Sequence, residues 1–122
     1  MIPLYKEKEL NLESLSLKEG FSFSNTNDFT SSIIKVGKLV VINIIIKNDT
    51  NIPKDSVTVF SLPPEFRPRK SILASCSLGL FEGWNSDGGG WCQITSYGGV
   101  NIRQHTNEVY NNINIHAVYF TK

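Results

Sequence analysis

The chain is short of cysteine, of charge and of any apolar run long enough to cross a bilayer, and each shortage excludes a class of protein. Cys76 and Cys92 are its only cysteines. A pair so far apart is no disulfide framework for a small secreted fold. Both read as buried small apolar residues. Together with His105 and His116 they offer no pair at the close spacing of structural zinc sites, so no metal and no cofactor is expected. Charged residues make up 19% of the chain, and 12 Lys and Arg against 11 Asp and Glu leave a net charge of +1. No field of one sign draws nucleic acid or an anionic membrane. Arg67, Arg69 and Lys70 form the one tight basic cluster, which reads as a solvated turn rather than a phosphate site. The run Leu39 to Ile46 is far too short to span a membrane. The opening MIPLYKEKEL has no apolar segment of the signal-peptide kind. Without a secretion signal, the glycosylation sequon Asn48-Asp49-Thr50 reads as coincidence.

What is present points to β-structure. Hydrophobic residues are 40% of 122, enough for one domain with a core of its own. The segment 1–19 reads as a lead-in or linker, because Leu10, Leu12, Leu15 and Leu17 fit neither helical nor strand period cleanly. A single β-sandwich domain is expected over 20–122. Residues 21–24 alternate apolar and polar. Residues 31–48 carry the strongest strand signal, with Gly37 read as a kink or bulge. Beyond it Val40, Ile42, Ile44 and Ile46 share one face, while Leu39, Val41 and Ile45 make the second face nearly as apolar. A strand apolar on both faces is covered twice, by the core and by something else. Leu39, Val41 and Ile45 are therefore the candidate subunit interface. Further strands are expected at 57–62, 70–78 and 112–120, with a hairpin at 91–104 turning on Gly98-Gly99. His116 reads as a buried strand residue. Short strands without a convincing amphipathic helix predict an all-β fold, an antiparallel β-sandwich or jelly-roll-like barrel of seven to eight strands.

The candidate ligand-binding residues lie in loops. The stretch FEGWNSDGGGW supplies Trp84, Asn85, Asp87 and Trp91, aromatic rings and hydrogen-bonding groups suited to the apolar faces and hydroxyls of sugars. Trp91 can equally open a strand and pack in the core. Arg103, His105 and Tyr110 form a second polar cluster, to be weighed against a plain solvated loop. Tyr97, beside the glycine turn, is either a turn aromatic or a stacking platform. No catalytic residue is expected, since no nucleophile elbow or metal motif appears. Glu82 and Asp87 would be the only carboxylate pair for glycoside cleavage, and a glycine-rich loop is a poor platform for fixed acid–base geometry. The chain is thus read as a non-enzyme.

The connection FSLPPEFRPRKSILASC holds three of the five prolines. The residue before a proline is pushed to extended geometry, so Leu62, Pro63 and Arg67 are biased away from helix and the segment becomes a stiff corner that Phe66 can plug. Three motifs here, Lys35 to Val40 (K-x-G-x-x-V), Leu62 to Pro68 (L-P-x-x-F-R-P, with Pro64 as a second proline) and Ile94 to Val100 (an I-x-x-x-G-x-V hairpin with one extra residue), are in an order that resembles the C-terminal head domains of phage tail fibre and baseplate receptor-binding proteins of Gram-positive bacteria. The resemblance covers roughly residues 20–122, and the stretch from Phe81 to Gly90 is an insert relative to it. It implies a homotrimeric head at the virion tail tip, assembled in the host cytoplasm beside other tail or baseplate proteins. Such a head recognises host cell-wall polysaccharide or teichoic acid, and neither nucleic acid nor membrane. Two other readings stand beside it: a structural or trimerisation domain without a ligand, and a monomeric carbohydrate-binding module.

Overall fold

In the computed structural model, residues 6–25, 30–79, 90–104 and 110–122 are described. They form ten strands, β1 Glu7–Glu9, β2 Phe21–Phe23, β3 Ser32–Val36, β4 Leu39–Asn48, β5 Val57–Ser61, β6 Ile72–Leu73, β7 Ser75–Gly79, β8 Gly90–Ile94, β9 Gly99–Gln104 and β10 Asn112–Phe120. The helical content among these residues is two single 3-10 turns, Leu12–Ser14 and Pro64–Phe66. The all-β class expected from the sequence is what the chain adopts. The strand count is higher than seven to eight, and the strands lie in two separate antiparallel sheets that do not close into a barrel.

The larger sheet runs β1-β3-β4-β10-β7, with β2 paired to the far end of β4; the smaller runs β5-β9-β8-β6. One apolar core lies between them. The larger sheet contributes Val40, Ile42, Ile44 and Ile46 from β4 and Ile113, Ile115 and Tyr119 from β10, and the smaller contributes Val59, Phe60, Cys92, Ile94, Val100 and Ile102. Among the described residues, twelve large side chains are fully buried. At roughly 1.5–3 kcal/mol for each such side chain removed from water, a core of this size holds without a covalent staple.

Three local features differ from the sequence reading. Residues 31–48 are two strands: Val36 pairs with Leu39, and Gly37-Lys38 is a two-residue hairpin turn with Gly37 at φ 61°. The glycine reverses the chain here instead of bulging it, because positive φ suits a tight turn. Residues 70–78 likewise divide, β6 pairing with β8 and β7 with β10, so the chain crosses from one sheet to the other at Ala74. In β5 a register shift between Thr58 and Phe60 turns both Val59 and Phe60 inward, as a bulge does.

The segment from Glu7 to Lys18 lies against this body. β1 pairs with β3, and the Lys18 amide donates to the Val59 carbonyl at 2.7 Å. Leu10, Leu12, Leu15 and Leu17 pack on the core. Hydrogen bonding and packing here recruit leucines whose spacing fits no regular period.

The two ends of the body differ in construction. At one end lie the paired positions Asn112 and Gly79, and Gly90 and Gln104. At the other lie the Gly37 turn, the Gly98 turn and the proline corner, tied to one another by Leu62 N to Gly98 O (2.8 Å), Arg69 N to Phe120 O (2.9 Å) and Thr121 N to Lys38 O (2.8 Å).

Candidate functional site

At the first end, alternation along β8 and β9 decides which side chains reach the surface. Cys92, Ile94, Val100 and Ile102 point into the core. Trp91, Gln93, Asn101 and Arg103 therefore stand on the outer face of the smaller sheet. Trp91 sits directly opposite Arg103, and Gln93 opposite Asn101. The guanidinium carbon of Arg103 lies 4.8 Å from the Trp91 ring centroid, a cation–π contact that holds both side chains half-buried. Arg103 Nε is buried without a hydrogen-bond partner among the described residues. One step along the ladder, the Thr58 hydroxyl donates to Asn101 Oδ1 at 2.5 Å. The result is a strip with an aromatic ring, a cation and two amides within three successive ladder positions.

Beneath this end runs a buried polar network. Gln104, 1% exposed, donates from Nε2 to Asn51 Oδ1 (2.7 Å) and to the Ile52 carbonyl (2.5 Å). Asn51 Oδ1 also accepts from the Tyr110 amide at 3.1 Å, and the Ile52 amide donates to the Tyr110 carbonyl at 2.6 Å. Asn48 Oδ1 accepts from the Thr50 and Asn51 amides and from the Thr50 hydroxyl. This Asx turn is the structural use of the residues that spell the sequon. The network ties β4, β9 and the approach to β10 together, and so fixes the described residues that flank 80–89 and 105–109.

The candidates named from sequence separate into four groups. Trp91 and Arg103 come together, on the outer face and not in the core. Trp84, Asn85, Asp87 and His105 lie outside the described residues, as does Glu82. Tyr110 is 3% exposed and belongs to the core, so its side chain is no surface ligand-binding group. Tyr97 is 85% exposed, but it sits in the β8–β9 turn at the opposite end, away from Trp91. Gln93, Asn101 and Thr58 were missed. Their alternation with Cys92, Ile94 and Ile102 was the available signal. His116, expected inside, is exposed on the outer face of β10.

The free thiols belong to the core side. Burial, and secondarily the neighbouring Cys76, pushes the Cys92 thiol from 9.0 up to about 12. Burial also raises Cys76. Neither is a poised nucleophile, since the reactive thiolate is suppressed.

The candidate interface residues also divide. Leu39 and Val41 are half-buried on the outer face of the larger sheet, whereas Ile45, 8% exposed, is already covered within the single chain. The register adds four residues that the sequence reading did not group with them. Val36, Leu39 and Phe120 lie abreast in one row, and Ile34, Val41 and Val118 in another. Val118 is 52% and Phe120 60% exposed. Six apolar side chains thus form a contiguous outer patch, bordered by Glu7 and Glu9 of β1, which pair with Val36 and Ile34.

No protein-family model, curated protein sequence or solved structure was found to match the chain.

Proposed function

We propose that the chain is a receptor-binding head of a phage or prophage tail, a sandwich domain that recognises host cell-wall polysaccharide or teichoic acid. The observation that carries this reading is the Trp91–Arg103 strip with Gln93 and Asn101. Sugars are bound by stacking an apolar ring face on an aromatic while flanking amides pair with hydroxyls, and this strip offers both on rigid strands. Along the chain the strip's strands adjoin the segments that contain Trp84, Asn85, Asp87 and His105, the residues the sequence singles out for the same chemistry. The resemblance of the Lys35, Leu62 and Ile94 motifs to phage tail heads supports the same reading.

The head works as a homotrimer at the tail tip, joined to other tail or baseplate proteins. The six-residue apolar patch supports this half of the proposal, since a subunit neighbour would cover what one chain leaves in water. Single sugar contacts are weak, and three linked sites raise the effective affinity.

The test is sedimentation of the protein with host cell walls. Trp91→Ala and Trp84→Ala are each expected to lower the bound fraction about tenfold or more while the circular dichroism spectrum is kept. Equal binding by wild type and both variants would remove the strip and Trp84 as the site.

One further reading is favoured by a specific observation. The apolar patch serves equally a structural, trimer-locking domain with no ligand. A stable oligomer that sediments with no wall fraction would establish that reading. A monomer that binds walls would establish the carbohydrate-binding module.

A further inference from the structure

At the end opposite Trp91 the proline corner, the β8–β9 turn and the last residues of the chain enclose a cleft of about 370 Å³. Lys35, Arg67, Arg69 and Lys122 line it, with Glu65 as the one acidic side chain and Tyr97 at its wall. The side chains of the whole chain sum to only +1, yet this small cleft gathers four cationic side chains against one acidic one. That anion is engaged elsewhere, because Glu65 Oε1 accepts from Lys8 Nζ at 2.6 Å. It is the only ion pair among the described residues, so the four cations of the cleft have no carboxylate partner there.

The two arginines are held in place by the backbone. Arg67 Nε donates to the Leu62 carbonyl at 2.9 Å, and Arg69 Nη2 to the Thr121 carbonyl at 3.3 Å. A guanidinium fixed in this way has lost little freedom before it meets an oxyanion, which is why arginine suits bidentate recognition. A cleft lined by one sign of charge also focuses its field. Tyr97, with 85% of its surface in water, has no packing reason to be aromatic. An exposed ring beside a cationic cleft matches a ligand with both an apolar face and a negative charge.

We infer that this cleft is a second binding site, which takes a saccharide carrying a negatively charged oxyanion, a phosphate ester or a uronate. The oxyanion sits among Lys35, Arg67 and Arg69, and the sugar ring lies on Tyr97. The saccharide part rests on the proposed function; the anion part rests on the cleft alone. The corner therefore does more than turn the chain, since its rigid prolines hold the spacing between Arg67 and Arg69.

The test is a titration of the protein with glucose 6-phosphate, glucuronate, glucose and inorganic phosphate, followed by amide NMR shifts. Both charged sugars are expected to give saturable shifts around Ser96, Tyr97 and Thr121, with Kd on the order of 1 mM, and glucose none. In Lys35→Gln/Arg69→Gln the shifts are expected to weaken at least about fivefold, and in wild type to weaken with added salt. Tyr97→Ala is expected to weaken sugar binding and leave inorganic phosphate unchanged. If one charged sugar alone binds, the oxyanion is assigned to that chemistry and the site stands. No saturable shift from either would overturn the inference, while wall binding through Trp91 would stand or fall by its own test. Inorganic phosphate binding as tightly as glucose 6-phosphate, with no effect of Tyr97→Ala, would overturn the saccharide part and leave a bare anion site.

Discussion

The Tyr119 hydroxyl donates a hydrogen bond to the carbonyl oxygen of Phe66 at 2.5 Å, inside the core, across 53 positions of sequence. It fastens the proline corner to the last strand. Phe66 is fully buried, and its carbonyl, beside Pro64 and Pro68, lies in a segment with few backbone amides to bond it. Tyr119→Phe leaves that acceptor unpaired. The expected cost is about 1–3 kcal/mol, a fall of roughly 4–12 °C in Tm, measured by thermal unfolding at neutral pH. An unchanged Tm would show that the corner holds without the bond.

Stability is expected to fall at alkaline pH. The thiol of Cys92 titrates at 9.0 when unperturbed and at about 12 in the fold. Between those values the unfolded chain binds fewer protons than the native one, so unfolding becomes easier as pH rises. Burial raises Tyr119 as well, which adds the same sign at higher pH. Urea midpoints at neutral pH and at about pH 10.5 check this. Cys92→Ala is expected to flatten the dependence without abolishing it.

Gly98 has φ 98°, and a Cβ on it would lie 2.7 Å from the Leu62 carbonyl oxygen and 2.7 Å from Arg67 Nε. Neither neighbour can yield freely, since the two are hydrogen-bonded to each other. Gly98→Ala is expected to cost about 2 kcal/mol or more, from left-handed strain plus the clash, read as a lower urea midpoint. Gly99→Ala meets ordinary contacts at 3.4 Å and beyond, with no positive φ, and serves as the mild comparison.

Asn51 accepts from Gln104 and from the Tyr110 amide through one oxygen. Asn51→Ala removes the acceptor that these two donors share, while Gln104 Nε2 keeps its bond to the Ile52 carbonyl. A loss of about 1–3 kcal/mol is expected, with faster hydrogen exchange at the Tyr110 amide. Unchanged exchange there would show that the network does not fix this end.

The outer patch gives the prediction for assembly. Val118 and Phe120 are exposed in the single chain, on the face of β10 opposite its core residues Ala117 and Tyr119. Val118→Lys/Phe120→Lys is expected to leave the unfolding free energy of the subunit within about 1 kcal/mol of wild type while light scattering falls from trimer to monomer mass. A wild type that scatters as a monomer at every concentration would remove the patch as the interface.

Much of the fold follows from period alone. The alternation of Val40, Ile42, Ile44 and Ile46, and of Ile113, Ile115, Ala117 and Tyr119, puts these side chains inside because successive side chains of a strand point to opposite faces and this set makes one face wholly apolar. Gly98 marks a turn by its conformational freedom, and Phe66 plugs the core because the prolines around it hold the chain extended into a single 3-10 turn. Other features depended on partners that no local pattern names. Whether Gly37 bulges or reverses the chain turns on pairing between Val36 and Leu39. Whether 70–78 is one strand or two turns on which sheet each half meets. Tyr110 looks like a loop residue beside Asn111 and Asn112, yet its amide donates to Asn51 and its carbonyl accepts from Ile52, which draws it into the core. The apolar patch needs three strands in register, and the basic cleft needs Lys35 and Lys122 brought to Arg67 and Arg69 across long stretches of chain. Sequence fixes which side chains seek the interior, because hydrophobic parity is a property of each strand. Only tertiary pairing decides which surfaces those strands assemble, because contacts between distant segments are a property of the sheets.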